Sequence, residues 1–257
     1  MRILITGGAG FIGSHLVDYL ISKKNIKKVI VLDNIKDGSL KNLRNSINSK
    51  KFIFYKRDIK NFDNIKNIFK NIDIVYHFAA LSDVVPSIEE PIEYLDTNIM
   101  GTVNVLEAMR KNNVKKIIYA ASSSCYGIPK KFPTTENDEI KPMYPYALSK
   151  NLGEQIIKHW SKTYKIEFVS LRLFNVYGTR SRTNSAYGAA LGVFLKQKLS
   201  NHPFTIIGNG KQKRDFIHID DVVKAFYLSI SKSVKNTILN IGSGNPHSVL
   251  EMVKILK

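Results

Sequence analysis

The chain holds a single cysteine, Cys125, among 257 residues. That excludes an internal disulfide and a cysteine-based zinc cluster, and no metal site is expected. No apolar run is long enough to span a bilayer. No secretory signal precedes the first strand, because a glycine-rich turn begins at Gly7. Cytoplasmic residence without a membrane partner is the resulting expectation. Internal repeats and low-complexity linkers are missing too. Acidic residues are scarce, 21 against 39 Lys and Arg, for a net charge of +18. The excess is mostly lysine scattered through Asn- and Ile-rich stretches such as Lys60–Lys70, without a dense arginine–aromatic stripe. It reads as solvated faces in a compositionally biased proteome, so no nucleic-acid partner is expected.

What is present is an apolar content of 44%, suited to a packed globular protein, in a length that allows one sizeable α/β domain or one domain with a small appendage. Strand and helix signals alternate from the first residue. Arg2–Thr6, Lys28–Leu32, Phe52–Lys56, Asp73–Phe78, Lys116–Ala120 and Ile166–Leu171 read as strands. Between them, Phe11–Lys23, Asn61–Lys70, Ile92–Lys111 and Tyr146–Thr163 read as helices, with Asn61 an N-cap. Such alternation predicts a doubly wound, mostly parallel sheet of the Rossmann type, helices on both faces. After Arg172 the rhythm loosens: a polar loop over Asn175–Tyr187, a helix around Ala189–Leu199, a strand at Phe204–Ile206 and a turn at Gly208–Gly210. Asp220–Ser231 then reads as helix, Ile238–Ile241 as strand and Ser248–Ile255 as helix. The expected division is a dinucleotide-binding domain over residues 1–174 and a smaller substrate-binding lobe over 175–257, with 215–242 able to pack back onto the first.

Gly7, Gly10 and Gly13 lie between the first strand and the first helix. Glycine lets backbone approach a pyrophosphate closely, and a helix N-terminus presents free N–H groups to the anion. Asp33 ends the second strand about twenty residues further on, where a carboxylate accepts hydrogen bonds from the adenosine ribose and repels a 2′-phosphate. NAD is therefore expected over NADP. Asp58 and Ile59 follow the third strand, and Ala79 and Ala80 the fourth, at positions suited to the adenine and the dinucleotide backbone.

Tyr146 and Lys150 stand four residues apart, downstream of the serine run Ser122–Ser124. On a helix they share a face, so the ammonium can sit near the phenol and lower its pKa from about 10. A tyrosine so placed can exchange a proton in an alcohol–ketone redox reaction.

These residues resemble the extended short-chain dehydrogenase/reductase family, within it the UDP-galactose 4-epimerase-like enzymes of nucleotide sugars. The carriers are Thr6 to Gly13, His77 to Ala80, Ser122 to Gly127, Tyr146 with Lys150, Arg172 to Gly178 and Arg214 to His218. The resemblance implies Ser122, Tyr146 and Lys150 as the catalytic set, with Lys150 and Tyr146 also on the cofactor. It adds Phe11, Ile12, Asn34 and Phe78 to the NAD site. It implies Ser87, Ser123, Ser124, Asn175 and Arg214 as contacts of a nucleotide-diphosphate sugar, UDP-linked, with Arg214 and Asn175 at the phosphates. It also implies a homodimer joined through the Ile92–Lys111 and Tyr146–Thr163 helices.

The dehydratases and decarboxylases of that superfamily place an acid just after the catalytic serine or threonine. Here Ser123, Ser124 and Cys125 follow instead. C4 epimerisation of a UDP-hexose is the leading expectation. A nucleotide-sugar reductase or 4,6-dehydratase is the alternative, and a non-catalytic NAD-binding module that uses its basic surface on RNA a third. His77 reads as a structural histidine, Cys125 as a packing residue and His218 as a loop-orienting group. Arg180 and Arg182 stay open between nucleotide contact and solvent. Family members usually continue beyond the point where this chain stops, so either a C-terminal truncation or a naturally short protein is expected.

Overall fold

The computed structural model describes residues 1–181 and 190–257. In chain order the elements are β1 (Arg2–Thr6), α1 (Phe11–Ile21), β2 (Lys28–Asp33), β3 (Phe52–Lys56), α2 (Phe62–Ile65), β4 (Ile74–His77), α3 (Val84–Glu89), α4 (Pro91–Leu95), α5 (Gly101–Lys111) and β5 (Lys116–Ser122). They continue with α6 (Pro145–Tyr164), β6 (Glu167–Leu173), β7 (Asn175–Tyr177), α7 (Ala190–Leu199), β8 (Lys213–His218), α8 (Ile219–Leu228), β9 (Thr237–Ile241), β10 (Pro246–Ser248) and α9 (Val249–Leu256).

The apolar runs form a seven-stranded sheet in the order β3-β2-β1-β4-β5-β6-β9, parallel at each pairing. Central strands buried on both faces need apolar residues through their middles, and residues 3–5, 29–32, 74–76 and 117–121 supply them. One face packs under α1 and α8 through Leu16, Val17, Leu20, Val222, Val223 and Phe226. The other packs under α2, α5 and α6 through Ile65, Val105, Leu106, Met109 and Ile157. Strand order reverses between β1 and β4, the place where open α/β sheets bind ligands beyond their carboxyl ends. The doubly wound Rossmann architecture expected from the sequence is what the chain adopts.

A second sheet, β10-β8-β7, stands beside the first. Next to it α7 and α9 share a small core of Phe194, Val249, Met252 and Val253. Helix α9 starts with a reciprocal capping box between Ser248 and Glu251. Although they follow the small sheet's β8 in sequence, α8 and β9 belong to the large layer: α8 lies on α1, and β9 pairs with β6.

Several local expectations differ from the structure. The helix expected over 92–111 is broken into α4, a π-helical turn at Asp96–Met100 and α5. There the Gly101 N–H bonds back five residues to the Asp96 carbonyl, so the turn widens while the helical ladder continues through it. The 61–70 helix tightens into a 3-10 turn after α2, with the Asn61 cap present. Phe204–Ile206 forms no strand; Phe204 and Ile206 pack against the α7–α9 core instead. Helix α3 and strands β7, β8 and β10 were not anticipated. Arg182 and the rest of the expected polar loop through Tyr187 lie outside the described residues, as does Ala189, the expected start of the next helix.

Candidate active site

A cleft of about 450 Å³ opens at the carboxyl ends of β1, β2, β4 and β5. Its floor is the turn from β1 into α1. Gly7 has φ +71°, and a Cβ there would stand 2.5 Å from the Ala79 backbone nitrogen. A Cβ on Gly13 would lie 2.4 Å from the Gly7 carbonyl oxygen. Only glycine lets the turn, the helix and the loop after β4 meet this closely. Gly10 caps α1 without a side chain, and the Ser14 N–H closes the first helical bond onto the Gly10 carbonyl. The N–H groups of Phe11, Ile12 and Gly13 therefore have no acceptor within the helix, and all three residues line the cleft. A Cβ on Gly10 would sit in the cradle, 3.2 Å from the Gly7 oxygen. This arrangement fits a pyrophosphate.

Asp33, at the end of β2, is 7% exposed and borders the same cleft. Its Oδ2 accepts the Ala9 N–H at 2.9 Å and its Oδ1 the Ile35 N–H at 2.8 Å. Burial raises its pKa, and those two bonds oppose the rise. Asn34 donates to Asp58 Oδ2 at 2.9 Å, and both line the cleft with Ile59, Phe78, Ala79 and Ala80. The dinucleotide residues expected from the sequence thus share one cavity.

Ser122, Tyr146 and Lys150 border the opposite end of that cavity. Ser122 ends β5; its Oγ lies 2.8 Å from Ser124 Oγ and accepts the Ser124 N–H at 3.2 Å. Tyr146 and Lys150 stand on successive turns of α6. Burial raises the Tyr146 pKa; the Ser122 hydroxyl opposes the rise, while Tyr144, Asp83 and Cys125 add to it. Burial also brings Lys150 down to about 7, with Glu154 opposing. The acidic phenol expected from the Tyr-x-x-x-Lys spacing is therefore not what this structure carries. Lys150 is enclosed and Tyr146 partly so, and enclosure disfavours phenolate and ammonium alike.

The substrate contacts expected from the sequence are less united. Ser123 and Ser124 continue into a 3-10 turn outside the cleft lining. Ser87 is fully buried, its hydroxyl donating to the Val84 carbonyl at 2.5 Å, so the structure keeps it from the cleft. Asn175 lines a second cavity of about 230 Å³ with Val176, Leu191, Leu195 and Phe216, and donates to the Asp215 carbonyl. Arg214 is exposed on β8 and lies close enough to Tyr144 to favour that residue's phenolate. Arg180 borders the main cleft, paired with Asp18 of α1 at 2.5 Å.

A buried polar chain, not anticipated from the sequence, connects the two ends of the site. Thr6 Oγ1 and His77 Nδ1 are 2.7 Å apart; His77 Nε2 and Thr102 Oγ1 are 2.9 Å apart. The Thr102 hydroxyl donates to the Asn98 carbonyl, so its oxygen accepts from His77 Nε2–H, and Nδ1 accepts from Thr6. His77 is neutral, its pKa pushed by burial and the Lys150 charge to about 3. Asn98, in the π-helical turn, donates to Ser149 Oγ at 2.8 Å, and Ser149 donates to the Tyr146 carbonyl. Residues 3–242 match the model of the NAD dependent epimerase/dehydratase family. A putative UDP-glucose 4-epimerase of Methanocaldococcus jannaschii is 43% identical over 99% of this chain and 81% of its own length. The UDP-glucose 4-epimerase of Thermotoga maritima, solved with UDP-glucose, superposes with a TM-score of 0.93 at 36% identity, covering 100% of this chain and 82% of that one. The dTDP-glucose 4,6-dehydratase DesIV of Streptomyces venezuelae, solved as a double mutant with NAD, gives 0.93 at 27% identity over 100% and 80%. With the glycine turn, Asp33 and the Ser122, Tyr146, Lys150 group meeting in one cleft, the chain belongs to the NAD dependent epimerase/dehydratase family of enzymes.

Proposed function

We propose that this enzyme inverts C4 of a nucleotide-linked sugar, a UDP-hexose, through a transient 4-keto sugar. The observation that carries this reading is the meeting of Ser122, Tyr146 and Lys150 in the cleft floored by the glycine turn. NAD would be held by the N–H groups of Phe11, Ile12 and Gly13 at its pyrophosphate and by Asp33 at its adenosine ribose. When bound, NAD supplies a hydride acceptor that is regenerated within each cycle. Tyr146 takes the proton of the sugar hydroxyl as the ketone forms and returns it when the alcohol is rebuilt. Ser122 donates a hydrogen bond to the carbonyl oxygen. Lys150 holds a positive charge beside the phenol during the proton transfer.

In this reading Asn175 and Arg214 take the nucleotide diphosphate. The strand-to-helix lobe around α7, β8 and α9 closes over the sugar. UDP in preference to another nucleotide is supported by relatives named UDP-glucose 4-epimerases. Homodimerisation is part of the proposal: Ile88, Ile92 and Leu148, on α3, α4 and α6, are 59%, 81% and 40% exposed.

Elimination is the competing outcome. It needs an acid or base beside C5 and C6, and residues 123–125 offer no carboxylate. Asp83 borders the cleft near Tyr146 and keeps 4,6-dehydration in the comparison. The deciding experiment incubates the purified protein with NAD and a panel of UDP- and dTDP-sugars, with NMR of the products. A C4 epimer without net NADH supports the proposal; a 4-keto-6-deoxy sugar, or stoichiometric NADH consumption in a parallel arm supplied with NADH and a 4-keto sugar, overturns it.

A further inference from the structure

Lys150 is the enclosed cation of this site, 4% exposed. Its Nζ stands 4.3 Å from the centroid of the Tyr119 ring. That ring belongs to a phenol that stays neutral, because burial holds its pKa well above the ordinary value. Three contacts fix the ring. It stacks on the His77 imidazole at a centroid distance of 5.6 Å. Its hydroxyl donates to the Lys150 carbonyl at 3.3 Å. Helix α6 meets it at Gly153, where a Cβ would be 2.6 Å from the phenol oxygen. The ring therefore cannot swing from beneath the ammonium without displacing α6.

The remaining groups around Lys150 give it little support as a cation. On α6, Tyr146 is a protonated phenol and Glu154 a carboxylate. Glu154 is already gripped by Arg172 of β6, Nη2 to Oε1 at 2.6 Å and Nε to Oε2 at 3.2 Å, so much of its field is cancelled close by. On β4, His77 is neutral. The ring face lying against the ammonium is that of Tyr119, and a desolvated cation gains most from such a face.

Resting on the reading of Lys150 as the cation that assists Tyr146, we propose that Tyr119 is a positioning residue whose ring face keeps the Lys150 ammonium charged and aimed along the cleft. Tyr119 touches neither cofactor nor sugar in this proposal; it acts through Lys150.

The test replaces Tyr119 with phenylalanine and with a series of increasingly fluorinated phenylalanines, which keep the ring's shape while draining its face of electron density. The readout is the pH titration of Lys150 by NMR of 13C-labelled lysine, without sugar, its resonance assigned by its loss in Lys150→Met. Tyr119→Phe should leave the midpoint nearly unmoved, since the face is kept. Progressive fluorination should lower it by about one pH unit in total, the size of a desolvated cation–π contact. The alkaline limb of kcat for C4 inversion should move down with it, while KM changes by less than about twofold. A midpoint that stays put across the series overturns the role of Tyr119, whatever the activity. Midpoints that move while no variant, nor the parent enzyme, turns over a sugar uphold Tyr119 and overturn the sugar chemistry.

Discussion

Glu154 and Arg172 form a paired, two-point contact in the interior, their side chains 2% and 4% exposed. Ser170 donates to the same carboxylate at 2.7 Å, and Arg172 also donates to the Tyr126 oxygen at 2.7 Å. The cluster ties α6, which carries Tyr146 and Lys150, to β6 and to the turn after β5. Removing one partner leaves the other charge buried and uncompensated. Glu154→Ala should cost about 3–5 kcal/mol of folding stability, read by urea denaturation. Replacing both residues with apolar groups of similar volume should recover much of that loss.

The gap between sequence and structure follows from what each element depends on. The large sheet was legible because the middles of strands buried on both faces must be apolar, and residues 3–5, 29–32, 74–76 and 117–121 satisfy that locally. The glycine turn was legible because backbone approach demands glycine at Gly7 and Gly13. The π-helical turn was not, since one inserted residue at Asp96–Met100 leaves the hydrophobic period almost intact. That turn buries Asn98, and with it the link from His77 to α6 was missed; polar residues recurring at Asn98 and Thr102 on an apolar helix face were the available signal. The small sheet was missed because β8 is a polar segment, Lys213–His218, whose partners β7 and β10 lie far away in sequence. The Tyr146–Lys150 spacing identified the pair, but spacing carries no information on burial, and burial decides both protonation states.

His77 gives acid sensitivity a defined origin. Its pKa falls from 6.5 when unfolded to about 3 when folded. Above pH 6.5 neither state binds the proton and the residue is without effect. Below it the unfolded chain takes up a proton that the folded chain refuses. Stability should therefore drop by about 1.4 kcal/mol per pH unit between roughly pH 6 and 4 from this group. Denaturant titrations across that range check it: His77→Gln should show a shallower acid decline than the parent, from a lower stability at neutral pH.

The cofactor cradle can be tested apart from any sugar. Gly13→Ala puts a methyl group 2.4 Å from the Gly7 oxygen, a contact that requires the turn to move. NAD affinity by calorimetry should fall more than about tenfold, a loss near 1.4 kcal/mol, with the fold retained by circular dichroism. Asp33→Ala should weaken NAD and narrow the preference against NADP, because the repelling carboxylate is gone. Tighter NADP than NAD binding in the parent protein would defeat the assignment of Asp33.

Asp83 is the carboxylate among the groups that bear on when Tyr146 can release its proton, behind the larger effect of burial. Its charge lies near enough to raise the phenol's pKa, in the same direction as burial, Tyr144 and Cys125 and against the Ser122 hydroxyl. Tyr144 is itself raised by burial and lowered by Arg214, which leaves Asp83 as the carboxylate among the groups that raise the phenol. Proton removal by a phenolate becomes easier as pH rises, so turnover should climb with pH until Lys150 loses its charge. Asp83→Asn removes the opposing charge and should move that rise to lower pH, by a few tenths of a unit for a charge across a partly wet cleft. The check is the pH dependence of kcat in parent and variant, with Cys125→Ala as a comparison that keeps the carboxylate. Movement to higher pH in Asp83→Asn would mean that Asp83 accepts the proton of a substrate hydroxyl, placing it in the reaction in a role that Tyr146 alone was assigned.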